Sequence, residues 1–322
     1  MRAALITEHA RPPVLGERPI PVPAEDEALV EVTAAPVTPL DVLTASGTSY
    51  FGPPALPYVP GVQGVGRLVD DPSVRVWFTT DAGMKPGDGS MSERAAVPRE
   101  RMWVIPVDVP DEQVAGLGLS AVAAHGALRR GRFEPGARVL VLGAGGVVGR
   151  VAVQLARAWG AGLVVAAARG EQSGRRARAL GAHAAVDVSG SDPRAMVRDL
   201  GTAAPEGFDL VVDPVWGAPA GAALEVLAPG GRLVNLGDAA GAEATFPSSV
   251  VRSRSVQILG YTNVARPWVE QTEAMDEVLR LAAAGQVQLE VETVPFADAA
   301  RGWSRQVEHR AHSRVVIQVG AG

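Results

Sequence analysis

The sequence predicts an α/β protein in which a doubly wound parallel sheet is inserted in a mostly β domain that is discontinuous along the chain. Three observations predict it. Short apolar runs alternate with helical stretches from Val139 to Tyr261, as parallel strands buried on both faces require. Before them, Ala28-Leu-Val-Glu-Val-Thr33 and its neighbours alternate in the manner of half-buried strands. After Tyr261 the pattern shifts again, to helix and strand that close the chain.

The elements follow in order. Strands are predicted at Ala28–Thr33, Gly64–Val69 and Val74–Phe78, and Pro53, Pro54, Pro57 and Pro60 break up regular structure between them. The Ala/Leu/Gly run from Asp111 to about Arg130 reads as helix, with Asp111 as its cap and Glu112 in its first turn. Strand Val139–Leu142, helix Val147–Trp159, strand Leu163–Ala167 and helix Arg175–Leu180 come next. Strands Ala184–Asp187 and Leu210–Asp213, helix Pro219–Leu227, and strands Arg232–Leu236 and Val256–Tyr261 complete the middle. An amphipathic helix, Trp268–Ala284, ends at Gly285. Strand Leu289–Val294, a helix from Phe296 to about Glu308 and strand Arg314–Val319 finish the fold.

Composition removes several function classes. Apolar residues make up 47% and charged ones 20%, a globular balance, and the formal net charge of -5 argues against nucleic acid as a partner. There is no cysteine, so disulfides, thiolate nucleophiles and sulfur-ligated zinc are excluded. The first residues, Met1 to Glu8, meet charge too soon for a signal peptide. The longest apolar stretch, Val139–Ala168, is cut by Arg150, Arg157 and glycines, so no membrane span is expected and the chain reads as cytoplasmic.

The chemistry begins at Gly143-Ala144-Gly145-Gly146-Val147-Val148-Gly149, between a predicted strand and a predicted helix. Gly143 permits the tight turn, Gly145 and Gly146 admit a pyrophosphate close to the backbone, and Gly149 lets helix pack on strand. The pyrophosphate would rest on helix N–H groups with the macrodipole behind them. The spacing is Gly-x-Gly-x-x-x-Gly rather than the strict Gly-x-Gly-x-x-Gly, and it is the strand–turn–helix context, followed by further strands, that points to the dinucleotide-binding turn of a Rossmann domain. NAD sites place an acid about 20 residues further on, for the ribose 2′-hydroxyl. Here that position is Ala168, and Arg169 follows it. An arginine suits a 2′-phosphate, so Arg169, with Arg175, points to NADPH.

With Val37-Thr-Pro-Leu-Asp41, Pro60-Gly-Val-Gln-Gly-Val-Gly66, Gly118–Leu128, Val139–Arg157, Asp209–Asp213 and Leu227–Gly237 added, nearly the full length resembles the medium-chain dehydrogenase/reductase superfamily, and within it the zinc-free quinone oxidoreductases. The resemblance implies a GroES-like catalytic domain, 1–119 plus 262–322, around a dinucleotide-binding domain, 120–261. The zinc alcohol dehydrogenases of that superfamily hold a metal with Cys, His and Cys; the matching positions here are Thr38, Val62 and Leu119, with Gln63 in place of the motif's Glu. Those side chains make no first-row metal site, so none is expected. What the resemblance implies instead is NADPH-dependent hydride transfer to a quinone or an α,β-unsaturated carbonyl compound in a dry cleft between the domains.

The resemblance also names candidate residues. Asp41 matches the acid of the family's Val-Asn-Pro-x-Asp segment and either orients the loop at the nicotinamide or serves structurally, as a helix cap or loop tie. Thr38 replaces that segment's Asn and is a candidate donor to a substrate carbonyl. Tyr50, beside Phe51 in Ser46–Gly52, is a candidate proton donor or stacking surface. His125 is a candidate donor at the nicotinamide, or else a structural histidine. His9, His183, His309 and His312 carry no partner pattern and no assigned role. Asn235-Leu236-Gly237 and Tyr261-Thr262-Asn263 resemble the segments whose backbones hold the carboxamide, and strand Val256–Tyr261 resembles a dimer edge, which implies a homodimer. Two other readings stand beside the leading one: an enoyl-thioester reductase, with Arg99, Arg101, Arg129 and Arg130 as its basic patch, and a relative that binds NADPH without catalysis.

Overall fold

The computed structural model describes residues 1–190, 192–308 and 313–320, so His309 and His312 lie outside it. Two compact units divide the chain: Met1–Gly118 with Leu289–Gly322, and Leu119–Gln288. The stretch 262–288, read from sequence with the flanking domain, groups with the second unit.

The first unit opens with a hairpin of β1 (Arg2–Leu5) and β2 (Val14–Glu17), registered from Arg2 opposite Glu17 to Leu5 opposite Val14. There follow β3 (Glu27–Pro36), α1 (Pro39–Ala45), β4 (Gln63–Leu68), β5 (Arg75–Thr79), β6 (Arg94–Pro98) and β7 (Met102–Val104). Alternation in β3 sends Val30 and Val32 into a core with Ile6, Phe78 and Met91. Next comes α2 (Asp111–Arg130), interrupted at Gly118, where φ is 30°. Asp111, expected as the cap, is instead the first helical residue. Arg75 Nη2 donates to its carboxylate at 2.6 Å and Thr33 Oγ1 at 2.6 Å, so the acid ties α2 to β5 and β3.

The second unit holds β8 (Arg138–Val141), α3 (Val147–Ala158), β9 (Leu163–Ala168), α4 (Glu171–Ala179), β10 (Ala184–Asp187), α5 (Pro193–Ala203) and β11 (Phe208–Asp213). It continues through α6 (Gly217–Glu225), β12 (Leu227–Asn235), α7 (Ser248–Arg254), β13 (Gln257–Gly260) and α8 (Trp268–Ala283). Its six-stranded sheet has the order β10-β9-β8-β11-β12-β13, and every adjacent pair is parallel. Leu140, Leu142, Val165, Val211 and Leu233 fill the core, which explains the unbroken apolar runs. The order reverses between β8 and β11, and the carboxyl ends of those strands flank the crevice where such sheets take ligands.

The chain then returns to the first unit with β14 (Val291–Pro295), α9 (Ala299–Val307) and β15 (Arg314–Gln318). They complete a seven-stranded sheet, β14-β15-β3-β4-β5-β7, with β6 paired to β3. The doubly wound parallel sheet between two parts of a mostly antiparallel β unit is the predicted fold.

Several elements were not predicted: β1, β2, α1, β6, β7, α5 and α7. For α5 a signal was present, since Asp192 caps the Arg194 N–H at 2.9 Å and Pro193 opens the helix. Helix α4 begins at Glu171 rather than Arg175, and α6 ends at Glu225 because Leu227 already belongs to β12.

Candidate functional site

In the second unit the site is built on the turn after β8. Gly143 has φ 58°, and its carbonyl accepts from Gly146 N at 2.9 Å, closing the turn. A Cβ on Gly149 would stand 2.5 Å from the Gly143 carbonyl oxygen, so this residue is glycine because α3 packs on the turn. Gly146 differs. It is exposed with φ -85°, and an added Cβ would meet nothing nearer than 3.5 Å. The chain's own packing does not require glycine there, and the position is open to a group laid across the turn. Gly145, Gly146, Val147 and Val148 thus fit a pyrophosphate, and the first-turn N–H groups of α3 have no helical acceptor of their own. Ala144 is buried, its N–H donating to Ala167 O at 3.1 Å, and joins the turn to β9.

Three strand ends converge on this turn. A Cβ on Gly143 would come within 2.7 Å of the Val215 side chain, and one on Gly237 within 2.6 Å of the Pro214 carbonyl oxygen. Between them Asp213 is fully buried, its carboxylate accepting from Val215 N at 3.0 Å, Trp216 N at 2.8 Å and Asn235 Nδ2 at 3.1 Å. Burial pushes its carboxyl above the usual range, against those three donors. In the sequence Asp213 reads only as a strand end, and an acid closing a buried strand is the signal that marks it. Asn235 also donates to Gly237 O at 2.7 Å, and Leu236 N donates to Asp213 O at 2.9 Å, so the 235–237 backbone is rigidly set.

Tyr261 N donates to Asn235 O at 2.9 Å. Its ring lies against α2, with the hydroxyl 2.0 Å from where a Gly126 Cβ would stand, and burial pushes that hydroxyl up to about 12. Only the backbone of Tyr261 and the exposed Thr262 remain at the strand ends. Arg169, directly after β9, is exposed and forms no ion pair with the described residues. Arg175, its expected companion, pairs with Glu171 on the surface of α4.

His125 is not brought to the turn. Its Nε2 lies 3.0 Å from Glu277 Oε2, and its ring meets Trp159 edge-on at 5.1 Å. Trp159 caps the far end of α3, about 18 Å along the helix from the glycines. The candidate nicotinamide donor is therefore a packed residue, with burial holding its pKa below the ordinary value despite Glu277. His183, given no role, accepts from Val164 N at 2.8 Å and meets Arg157.

In the first unit, Thr38 and Asp41 form a capping box at α1. Thr38 Oγ1 donates to Asp41 Oδ2 at 2.6 Å and accepts from Asp41 N at 3.2 Å. Its hydroxyl proton is directed to Asp41 there and not outward to a substrate carbonyl. Asp41 Oδ2 also accepts from Thr38 N at 2.8 Å, while Oδ1 accepts from Gly61 N at 3.1 Å and Val62 N at 2.8 Å. Of its two open readings, the geometry is that of a tie between loops. Burial pushes the Asp41 carboxyl up, opposed by these donors and by the buried Arg314. Gln63 Oε1 accepts from Trp77 Nε1 at 3.0 Å. Tyr50 is 79% exposed and its ring rests on Phe51 at 4.2 Å.

Among the described residues no three His, Asp or Glu side chains gather as a metal site would need, and no helix is long and apolar enough to cross a membrane.

A family of zinc-binding dehydrogenases matches residues 147–284, a span that includes none of Thr38, Val62 and Leu119. The quinone oxidoreductase-like protein 2 of Bos taurus is 31% identical over 265 residues, covering 80% of this chain and 74% of that one. The chloroplastic NADPH-dependent alkenal/one oxidoreductase of Arabidopsis thaliana is 30% identical, over 67% of this chain and 56% of its own. Among solved structures, the quinone oxidoreductase from Thermus thermophilus superposes with a TM-score of 0.84 over 99% of this chain and all of that one, at 29% identity. The chain belongs to the medium-chain dehydrogenase/reductase superfamily, is of the quinone oxidoreductase type, and is an oxidoreductase.

Proposed function

We propose that this chain binds NADPH on the Gly143–Gly149 turn and reduces quinones or α,β-unsaturated carbonyl compounds without a metal. The observation that carries the cofactor choice is Arg169, exposed and unpaired among the described residues where β9 ends in Ala168 and not in an acid. The names of the relatives support the substrate class: one acts on alkenals and alkenones, and the Thermus thermophilus enzyme was solved with NADPH.

When bound, NADPH supplies a hydride to an acceptor whose conjugated carbonyl takes up the resulting negative charge. The chain's residues do the holding. The α3 N-terminus and Gly145–Val148 receive the pyrophosphate, and Arg169 pairs with the 2′-phosphate. The backbone of Asn235, Leu236 and Gly237, fixed by Asp213, orients the carboxamide together with Tyr261 and Thr262. Tyr50 is offered for stacking on a flat acceptor. Thr38, Val62 and Leu119 supply no donor set for a Lewis acid, and an acceptor that delocalises its own charge requires none.

The test is NADPH oxidation followed by nicotinamide absorbance with 1,4-benzoquinone, an enone and crotonyl-CoA in parallel. Turnover with the first two supports the proposal. Turnover with crotonyl-CoA alone supports a thioester reductase, which has less behind it because Arg101 pairs with Asp81 at 2.7 Å and Arg129 lies over Trp159. Measurable NADPH binding without any turnover indicates a non-catalytic relative. A homodimer is part of the proposal: β13 is an edge strand with Ile258 41% exposed, and a twin subunit would cover it. Light scattering on a sizing column reads that directly.

A further inference from the structure

The acid that β9 lacks is present one strand away. Ala168 and Asp187 are the last residues of β9 and β10 and stand opposite each other in the parallel register. Asp187 does not turn back to its own strand alone. Its Oδ1 accepts from Ser189 N at 2.8 Å and from Gly170 N at 3.0 Å. Gly170, with φ 78°, immediately follows Arg169 and precedes α4. A carboxylate is thereby anchored on the same turn that presents the Arg169 guanidinium. Both residues are exposed, and they form no ion pair with each other, so both charges are open to a ligand laid along the strand ends.

The two charges make opposite demands on an adenosine ribose. Arg169 favours a 2′-phosphate, whereas a carboxylate accepts from a free 2′-hydroxyl and repels a phosphate. We propose that Asp187 is a specificity-determining residue: it supplies from the third strand the acid missing from the second, so that the chain binds NADH and NADPH in the same concentration range. This rests on the nicotinamide-dinucleotide reading above and limits the NADPH preference that Arg169 confers. The backbone ties of Asp187 keep the charge at a fixed place on the turn. Charges exposed to solvent are screened, so the expected effects are several-fold rather than a thousandfold.

The test titrates NADPH and NADH separately into the full chain by nicotinamide fluorescence, with adenosine 2′-phosphate as a displacing probe. The wild type is expected to bind both dinucleotides with Kd values within about tenfold of each other. Asp187→Asn keeps an acceptor oxygen for Gly170 and Ser189 but loses the charge; it should shift the Kd ratio about fivefold toward NADPH. Asp187→Glu, which keeps the charge, should leave the ratio within about twofold of wild type. An unchanged ratio in a normally folded Asp187→Asn chain overturns the inference. So does a wild-type preference for either dinucleotide above about a hundredfold, whatever the variants do. Saturable binding of neither by the wild type overturns the dinucleotide reading itself, and this inference with it.

Discussion

Asp213 and Asn235 close adjacent parallel strands and are joined there, Asn235 Nδ2 donating to Asp213 Oδ2 at 3.1 Å. The same buried carboxylate holds Val215 N and Trp216 N, and Trp216 takes a left-handed φ of 54°. A short side chain thus fixes a turn that packs against Gly143. Asp213→Ala would leave three donors without their acceptor, at a cost of about 3 kcal/mol. Urea unfolding should show that loss, and NADPH affinity should fall as the turn behind Gly143 relaxes. Asp213→Asn, which keeps one acceptor oxygen, should retain more of both. Wild-type stability in Asp213→Ala would contradict the assignment.

Gly146 and Gly149 separate binding from folding. Gly149→Ala places a methyl against the Gly143 carbonyl at 2.5 Å and the Ala144 Cα at 2.7 Å, and should cost about 2 kcal/mol by thermal unfolding. Gly146→Ala meets no such obstacle. Its melting midpoint should stay near wild type while NADPH binding weakens at least about tenfold. Equal loss of stability in both variants would show that packing alone dictates both glycines.

Thr38 and Asp41 are expected to act on stability before activity. Thr38→Val removes the α1 cap and should cost about 1–2 kcal/mol, whereas Thr38→Ser should be close to wild type. Asp41→Ala removes an acceptor shared by the 38 and 61–62 backbones and leaves Arg314 buried without its neighbouring carboxylate, so about 3 kcal/mol or more should be lost. Turnover of folded Thr38→Val should remain near wild type. A large fall in kcat at unchanged stability would restore Thr38 as a substrate donor.

His125 gives a pH dependence with a defined sign. Burial holds its folded pKa below the ordinary 6.5, so the unfolded chain takes up a proton first as pH falls. Its part of the stability is therefore complete above about pH 6.5 and declines as pH drops from there toward the folded value. His125→Gln should remove this part of the acid-side decline in melting temperature. The pH–rate profile should be unchanged by the same variant, since the ring stands at the far end of α3 from the turn. A lost limb in that profile would return His125 to the reaction.

Much of the second unit was legible because a parallel strand buried on both faces needs an unbroken apolar run, and such runs mark themselves. Val139–Leu142, Leu163–Ala167 and Leu210–Asp213 all lie on observed strands or at their ends. The first unit was less legible. Its β1, β2, β6 and β7 are three to five residues long, too short to show a period, and β6 is held by a strand about sixty residues away. Helix α1 has its capping box written in Thr38 and Asp41, but its seven residues carry little hydrophobic pattern.

The sequence by itself determined the class of chain: a strand, a glycine turn and a helix for a dinucleotide, an arginine after Ala168, and Thr38, Val62 and Leu119 where a metal would need other side chains. These are properties of local spacing and of atoms a side chain has or lacks. Only the tertiary structure decided where protons and charges go. Asp41 accepts from the Gly61 and Val62 N–H groups, His125 packs at the end of α3 away from the turn, and Asp187 arrives beside Ala168. Each of those outcomes depends on which segments meet across the fold: helix on helix, loop on loop, and strand beside strand in register. No single stretch of sequence contains that pairing.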